Sequence, residues 1–320
     1  MELSYSRISL KMAGTFRTAK ATRTDKQTIW VKITHQNIEG WGEAVPMDTY
    51  QQTLESSENA LNQIGPLLGD DPFAIDETIG RLLMQFDGQR AAVCAVDAAW
   101  HDWIGKRLEI STCRMLGLVP SRSPATSFTI GIDEPQAVAQ KVRAAASFPI
   151  LKVKLGHGID ESMISEIRRI APDKVIRVDA NTSWTVDEAL KKLPALAECG
   201  VEFVEQPVPA GDVDGLRRLT QARICPIVAD ESCIRLADVV KLAGSVDGVN
   251  IKLSKCGGIR EALRMIHVAK AHGMRVMLGC MVESSLGIAA AAQLAPLADW
   301  LDLDGHLLLA EDPFIGLGGH

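Results

Sequence analysis

The amino-acid sequence predicts an α/β protein in which a parallel barrel of alternating strands and helices follows a smaller α+β unit. From about residue 126 onward, short apolar runs alternate with helical stretches. Five consecutive runs end at a charged residue, and the gaps between these residues are 25, 26, 25 and 22 positions. One strand, one helix and two loops need about that length, so the repeat predicts a parallel barrel. The five charged residues are Lys154, Asp179, Glu205, Asp230 and Lys252.

Residues 1–120 have a different pattern and predict a separate α+β domain. Two segments alternate polar and apolar residues as strands do, and three longer segments are helical in character. Gly105 supplies a stop signal after the third helix. The predicted strands are Ser4–Met12 and Thr28–Thr34, and the predicted helices are residues 51–68, residues 72–84 and Ala91–Ile104.

The barrel domain is expected to span residues 121–304, and the tail, about residues 305–320, is expected to pack back on the first domain. Catalytic groups of such barrels lie at the C-terminal ends of the strands. A doubly wound open sheet would instead need a glycine-rich loop after its first strand, and Thr126–Asp133 has only Gly131. The eight predicted strands are Thr126–Ile130, Ile150–Leu155, Val175–Asp179, Val201–Glu205, Pro226–Ala229, Val246–Lys252, Arg275–Leu278 and Trp300–Leu303.

Composition argues against several classes of function. The 320-residue chain has a net charge of −6 and no block of Lys or Arg, which disfavours a nucleic-acid partner. No apolar run is long enough to cross a membrane or to export the chain, so we expect a cytoplasmic protein with no membrane partner. The seven cysteines form no C-x-x-C pair and are expected to be reduced thiols, most of them buried.

Three carboxylates are the first candidates for chemistry. Asp179, Glu205 and Asp230 each follow apolar residues of a predicted strand, where an unpaired charge is costly. Three such groups on neighbouring strands repel one another unless a cation lies between them. Oxygen-only ligands suit a hard divalent ion, and Mg²⁺ is the first choice. The alternative is three separate strand-end acids, each in its own salt bridge.

Three lysines flank these acids. Lys152 and Lys154 lie two positions apart on one strand and share a face, which is unfavourable unless one lowers the pKa of the other. Lys252 ends the sixth strand, opposite the second strand in an eight-strand barrel. Lys154 and Lys252 are therefore expected to face each other across the metal, an arrangement that suits proton removal on one face and delivery on the other. The alternative is a set of solvated strand-end lysines.

These residues lie in motifs that together resemble the enolase superfamily, in its muconate-lactonising-enzyme-like subgroup, and within it the dipeptide epimerases of the L-Ala-D/L-Glu epimerase type. The resemblance covers nearly the whole chain. The motifs are Gly-Trp-Gly-Glu-Ala (40–44), Leu-Lys-Val-Lys-Leu (151–155), Val-Asp-Ala-Asn-x-x-Trp (178–184), Glu-Gln-Pro (205–207), Ala-Asp-Glu-Ser-Cys (229–233), Asn-Ile-Lys-Leu-Ser-Lys-Cys-Gly-Gly (250–258), Gly-Cys-Met (279–281) and Asp-Leu-Asp-Gly (302–305).

The resemblance implies a modified TIM-like (β/α)7β barrel with an α+β capping domain, and it implies a reaction. One Mg²⁺ per subunit would be held by the three acids, with Lys154 and Lys252 as acid/base catalysts. Lys152 would hold the substrate carboxylate and tune Lys154. The expected reaction is epimerisation of a dipeptide, L-Ala-D/L-Glu-like, at the α-carbon of its C-terminal residue, by 1,1-proton transfer through an enediolate.

Further substrate contacts also follow from the resemblance. Asp302 and Asp304 would bind the α-ammonium of the dipeptide; the alternative is a turn or helix-capping role before Gly305. The seventh strand ends in Cys280 and Met281, which we expect to line the substrate site, and it offers no histidine. This absence argues against the mandelate-racemase-like and acid-sugar dehydratase branches, in which the resemblance implies a histidine at the end of that strand.

Substrate choice is expected to depend on the first domain, where Arg23 is similar to the arginine that contacts a glutamate side chain; the alternative is a solvated loop arginine. The competing activities on the same scaffold are o-succinylbenzoate synthase, N-acylamino acid racemase and muconate cycloisomerase. Asp302 and Asp304 argue against o-succinylbenzoate synthesis and muconate cycloisomerisation, whose substrates carry no ammonium group. A non-catalytic binding protein is a further alternative, and a homo-oligomer is compatible with the sequence.

Overall fold

The computed structural model describes residues 1–17, 22–156, 160–315 and 317, apart from the side chains of Phe16 and Arg23. The first domain, hereafter the cap, is an antiparallel sheet of order β1-β2-β3 packed on helices. Its strands are β1 (Glu2–Arg17), β2 (Thr22–His35) and β3 (Ile38–Ala44), and its helices are α1 (Leu54–Ile64), α2 (Ile75–Gln85), α3 (Arg90–Leu108) and α4 (Thr112–Met115).

The predicted helix stop at Gly105 is wrong. Helix α3 continues to Leu108, and its C-cap is Glu109, whose φ is 55°. Gly105 serves the chain reversal that follows: a Cβ there would lie 2.9 Å from the carbonyl oxygen of Ile110. Helix α1 is shorter than predicted because Thr53 and Ser56 form a capping box at its start. The chain turns into a 3₁₀ helix at Gly65.

Strands β1 and β2 extend beyond the predicted segments, pairing as far as Arg17 and Thr22. The added part of β1 is mostly exposed, so no alternation of apolar residues marks it in the sequence. Strand β3 packs closely on α3. A Cβ at Gly40 would lie 2.0 Å from the carbonyl oxygen of Ala99, so only glycine allows this approach.

The second domain is an eight-stranded parallel sheet in which each strand pairs with the next along the chain. A parallel bridge between Thr126 and Leu301 joins the first strand region to the last and closes the barrel. The strands are β4 (Phe128–Ile130), β5 (Ile150–Lys154), β6 (Val175–Asp179), β7 (Val201–Glu205), β8 (Ile227–Ala229), β9 (Gly248–Lys252), β10 (Arg275–Gly279) and β11 (Trp300–Asp302).

Helices separate the strands, and among the described residues only a 3₁₀ turn, Gly305–Leu308, follows β11. This arrangement confirms the predicted (β/α)7β barrel. The helices are α5 (Pro135–Ala144), α6 (Asp160–Ile170), α7 (Val186–Glu198), α8 (Val213–Ala222), α9 (Leu236–Leu242), α10 (Leu253–Cys256), α11 (Ile259–Ala271) and α12 (Ser285–Ala292).

The cap and the barrel have largely separate apolar cores, although Cys94 of helix α3 in the cap belongs to the core of the barrel. Residues beyond the barrel also contact the cap: Ala310 N donates to Lys11 O at 2.8 Å, and the rings of Trp30 and Phe314 are 4.9 Å apart. No helix in the described part of the chain has the length and apolar character needed to cross a bilayer.

Candidate active site

A cavity of about 420 Å³ lies at the C-terminal ends of the barrel strands, beneath the cap. Parallel pairing explains why charged residues distant in sequence meet there. Lys154 is opposite Asp179 in the β5–β6 register, and Asp179 is opposite Glu205 in the β6–β7 register. The barrel lines the cavity with Lys152, Lys154, Asp230, Lys252, Asp302 and Asp304, and the cap lines it with Lys26, Met47, Thr49 and Tyr50.

The three predicted metal-binding acids form one cluster. Asp179, Glu205 and Asp230 are buried, and one carboxylate oxygen from each lies within 4.8 Å of the others. Glu205 Oε1 accepts a hydrogen bond of 2.8 Å from Asn250, which fits beside β10 because residue 279 is a glycine. Glu205 Oε2 is buried and accepts no hydrogen bond in the described structure, although the Lys152 ammonium is 2.6 Å away.

The charges of this cluster shift one another's pKa values. Burial would raise the pKa of Asp179, but the ammonium groups of Lys154 and Lys152 outweigh burial and hold it at about 2. Burial and the nearby charge of Asp179 raise the pKa of Glu205 to about 8, against the opposing effect of Lys152. A divalent cation would relieve this repulsion. The oxygen-only donor set and the hydrogen-bond capacity left on Glu205 Oε2 fit Mg²⁺.

Lys152 lies at the centre of the acidic groups and is 1% exposed. Its Nζ is 2.6 Å from Glu205, 2.7 Å from Asp302 and 3.2 Å from Asp179. Burial would lower the pKa of Lys152, but these carboxylates raise it well above its usual range. Asp179 also contacts Lys154 at 2.5 Å, so it lies between the two ammonium groups and offsets their repulsion.

Lys154 and Lys252 stand on opposite walls of the barrel, since β5 and β9 are four strands apart in a closed sheet of eight. Lys252 Nζ donates to Asp230 Oδ2 at 2.8 Å. Asp230 also accepts from Lys255 on its other oxygen at 2.5 Å. Both lysines keep the pKa of Asp230 well below its usual range, although burial alone would raise it.

Asp302 and Asp304 both line the cavity and are buried. Asp302 accepts from Ser127 and Lys152 at 2.7 Å each, and Asp304 Oδ2 accepts from the Thr129 amide at 2.6 Å. Asp304 is the N-cap residue of the 3₁₀ turn that follows it, but its side chain makes no capping hydrogen bond to that turn. Burial and the neighbouring Asp302 raise the pKa of Asp304 to about 6.

Cys280 and Met281 line the cavity where β10 ends. The side chain of Arg23 lies outside the described residues. Sequence reasoning did not predict one polar contact between cap and barrel beside this site, hereafter the joint. In the joint, Glu43 of the cap accepts hydrogen bonds from Ser284 N and Gly287 N at the start of α12. Sequence reasoning also did not place Lys26 or Tyr50 at the cavity, because neither lies in a regular pattern of strand ends.

The comparisons with known proteins agree with this geometry. Residues 5–117 match the family model of the mandelate racemase / muconate lactonizing enzyme N-terminal domain, and residues 135–309 match the enolase C-terminal domain-like model. The L-Ala-D/L-Glu epimerase of Bacteroides thetaiotaomicron is 40% identical over 99% of this chain and 83% of its own length. The L-Ala-D/L-amino acid epimerase of a Maribacter species is 37% identical over 98% of this chain and 92% of its own length.

A solved structure is similar over nearly the full length. The dipeptide epimerase of Enterococcus faecalis, complexed with Mg and the dipeptide L-Leu-L-Tyr, superposes with a TM-score of 0.94. It is 34% identical, and the match covers 98% of this chain and 93% of that chain.

Proposed function

The chain belongs to the mandelate racemase / muconate lactonizing enzyme family of the enolase superfamily, and from this premise we propose that it epimerises dipeptides at the α-carbon of their C-terminal residue. One observation carries the proposal: a buried cluster of three acids stands between two lysines on opposite barrel walls, beside a second pair of acids. Epimerisation requires a base on one face of a carbon and an acid on the other, which this arrangement supplies.

In the proposed reaction, Lys154 or Lys252 removes the α-proton from one face, and the other lysine delivers a proton to the opposite face. The carbanion is stabilised as an enediolate, whose developing charge is the main obstacle to proton removal. Lys152 donates to the substrate carboxylate. We propose that Asp179, Glu205 and Asp230 hold one Mg²⁺, which would offset the negative charge on that carboxylate when bound.

Asp302 and Asp304 are proposed to bind the α-ammonium of the dipeptide. Two buried carboxylates at the cavity wall suit a cation, and charge-assisted hydrogen bonds to it are worth about 1.5–3 kcal/mol each. This pair favours a dipeptide over the substrates of o-succinylbenzoate synthase or muconate cycloisomerase, which have no ammonium group. It also disfavours N-acylated amino acids, which lack that charge.

An L-Ala-D/L-Glu-like dipeptide is the specific substrate that we propose, in keeping with the name of the Bacteroides relative. Arg23 as the partner of the glutamate side chain stays a prediction. Arg23→Ala should selectively weaken dipeptides that end in glutamate and spare those that end in an apolar residue. An unchanged preference among C-terminal residues would remove the glutamate assignment and leave the dipeptide assignment intact.

The experiment is a dipeptide screen in D₂O with Mg²⁺, read by mass spectrometry for one added α-deuterium and by chiral chromatography for inversion. We expect Mg²⁺-dependent exchange and inversion of L-Ala-L-Glu or a close analogue. Better turnover of N-acylated amino acids than of any free dipeptide would contradict the substrate class. Full activity in excess EDTA would contradict the metal assignment.

A further inference from the structure

Lys255 is a buried ammonium group beside the proposed site. It is 1% exposed, in contrast to most lysines, whose charge remains in water. Its Nζ donates to Asp230 Oδ1 at 2.5 Å, to the Asp230 carbonyl oxygen at 2.6 Å and to the Asn250 carbonyl oxygen at 3.1 Å. An ammonium has three donors, so these three acceptors fix both the position and the orientation of the group.

The local fold explains why two lysines meet one carboxylate. Lys252 is the N-cap of α10, and Lys255 lies in the single turn of that helix. Residues three apart on a helical turn point to the same side. Lys252 therefore contacts Asp230 Oδ2 while Lys255 contacts Asp230 Oδ1.

Lys255 does not line the cavity, so substrate does not reach its ammonium. Its contacts with Asp230 determine which carboxylate oxygen is left for Lys252. Lys154 depends on a different acid, because it contacts Asp179 at 2.5 Å on the other wall. The two proposed bases are therefore held by different acids, Lys154 by Asp179 and Lys252 by Asp230.

We propose that Lys255 is a positioning residue that acts through Asp230 on Lys252, so that proton transfer on the Lys252 face depends on it more than proton transfer on the Lys154 face. The inference rests on the proposed epimerisation and adds an asymmetry to it. A displacement of about 1 Å in a reacting group can slow catalysis about 100-fold. Loss of the Lys255 anchor should therefore slow one face selectively.

The test is α-proton exchange in D₂O, measured separately from each epimer of the substrate dipeptide at saturating Mg²⁺. Lys252→Ala first identifies the epimer whose α-proton faces Lys252, because exchange from that epimer should be lost. Lys255→Met should then slow exchange from the same epimer at least about 10-fold and leave exchange from the other epimer within about 3-fold. Mn²⁺ binding, followed by electron paramagnetic resonance, should stay within about 3-fold of the wild type in Lys255→Met, because all three acids remain.

A matched control is Lys174→Met. It also removes an ammonium bonded to two backbone carbonyl oxygens, Ala146 O and Phe148 O, but at the opposite end of the barrel. Both of its exchange rates should equal those of the wild type. If Lys255→Met does not fold, Lys255→Arg serves, since it keeps the charge but cannot reproduce the three ammonium contacts.

The outcomes separate the inference from the proposed function. Equal slowing of both epimers in a folded Lys255 variant, or weakened Mn²⁺ binding, would overturn the positioning role and assign Lys255 to the metal site or the fold. Unchanged rates from both epimers would also overturn it. A wild-type protein that exchanges neither epimer would instead overturn the proposed epimerase function.

Discussion

The two candidate acid/base lysines, Lys154 and Lys252, lie on opposite walls of the site and contact different residues. On the first wall, Lys154 ends β5 and contacts Asp179 on the adjacent strand. On the second wall, Lys252 ends β9 and contacts Asp230, whose other carboxylate oxygen accepts a hydrogen bond from Lys255. The second wall is also tied to the cap, as the contacts of helix α3 show.

Helix α3 reaches the chain that follows Lys252 at two places. Arg90 donates to Cys256 O at 2.6 Å, and Asp97 accepts from Ile259 N at 2.5 Å. A Cβ at Gly258 would lie 2.4 Å from Asp97 Oδ2, so the turn between α10 and α11 requires glycine at that position. Identical side chains on opposite walls of one barrel therefore depend on distant residues to different extents.

The largest effects should come from the acids between the walls, because the proposed reaction needs the metal on both faces. Asp179→Asn, Glu205→Gln and Asp230→Asn should each reduce turnover more than about 1,000-fold while the fold is retained, since each removes a proposed charged ligand. Circular dichroism and Mn²⁺ binding would report fold and metal separately. Near-normal turnover in any one of the three would exclude that residue from the metal site.

A smaller effect is expected at the ammonium site. Asp304→Asn should lower kcat/KM for free dipeptides about 10- to 150-fold, in line with the loss of about 1.5–3 kcal/mol. N-acylated amino acids should be affected far less, because they carry no ammonium group. The loss should appear equally from both epimers. A face-selective loss would place Asp304 on one wall rather than at the ammonium.

The sequence predicts the residues of the two walls that follow from local spacing, but not the contacts between residues that are distant in sequence. The strand-end acids and lysines were predictable, since the spacing of βα units and the two-residue period of a strand place them at one end of the barrel. The support from Lys255 was not predictable, because it depends on how the turn after β9 meets the end of β8. The support from Arg90 and Asp97 was not predictable, because it depends on which residues of two domains meet in space. The helix through Gly105 was not predicted for a local reason: a non-glycine residue, Glu109, adopts the left-handed conformation that ends the helix, so the glycine did not mark its end.

The joint between cap and barrel near the second wall should make stability depend on pH. Burial and the neighbouring Glu43 raise the pKa of Glu283 to about 8. A raised carboxyl pKa means that the folded state holds its proton more tightly, so stability falls as pH rises from about 4.5 to about 8. Glu283→Gln should therefore stabilise the protein by about 1–3 kcal/mol at pH 8 or above and leave it unchanged at pH 4.

Urea denaturation at several pH values, without added metal, measures this effect. An Asp70→Asn variant serves as a control, because Asp70 is exposed and pairs with the amino group of Met1. Glu283→Gln stabilisation that is the same at pH 4 and pH 8 would show that repacking, and not charge burial, is responsible.

The smallest effect tests the link between the cap and the second wall. Arg90→Met removes the hydrogen bond to Cys256 O and should slow exchange on the Lys252 face by about 3- to 10-fold, less than the full loss of one charged hydrogen bond, because Arg90 contacts the chain that follows Lys252 and not Lys252 itself. Arg81→Met is the matched control, because its hydrogen bond to Leu67 O stays within the cap. Equal slowing of both faces in Arg90→Met would remove the claimed asymmetry.

Whether the two walls act on opposite faces of one carbon can be measured by comparing Lys154→Ala with Lys252→Ala. Each epimer of the substrate dipeptide is incubated with each variant in D₂O at saturating Mg²⁺, and α-deuterium is measured before any inversion accumulates. We predict a mirror pattern, in which both variants fail to invert, one exchanges only the first epimer and the other exchanges only the second. Inversion at the wild-type rate by either variant, or loss of exchange from the same epimer in both, would contradict the account.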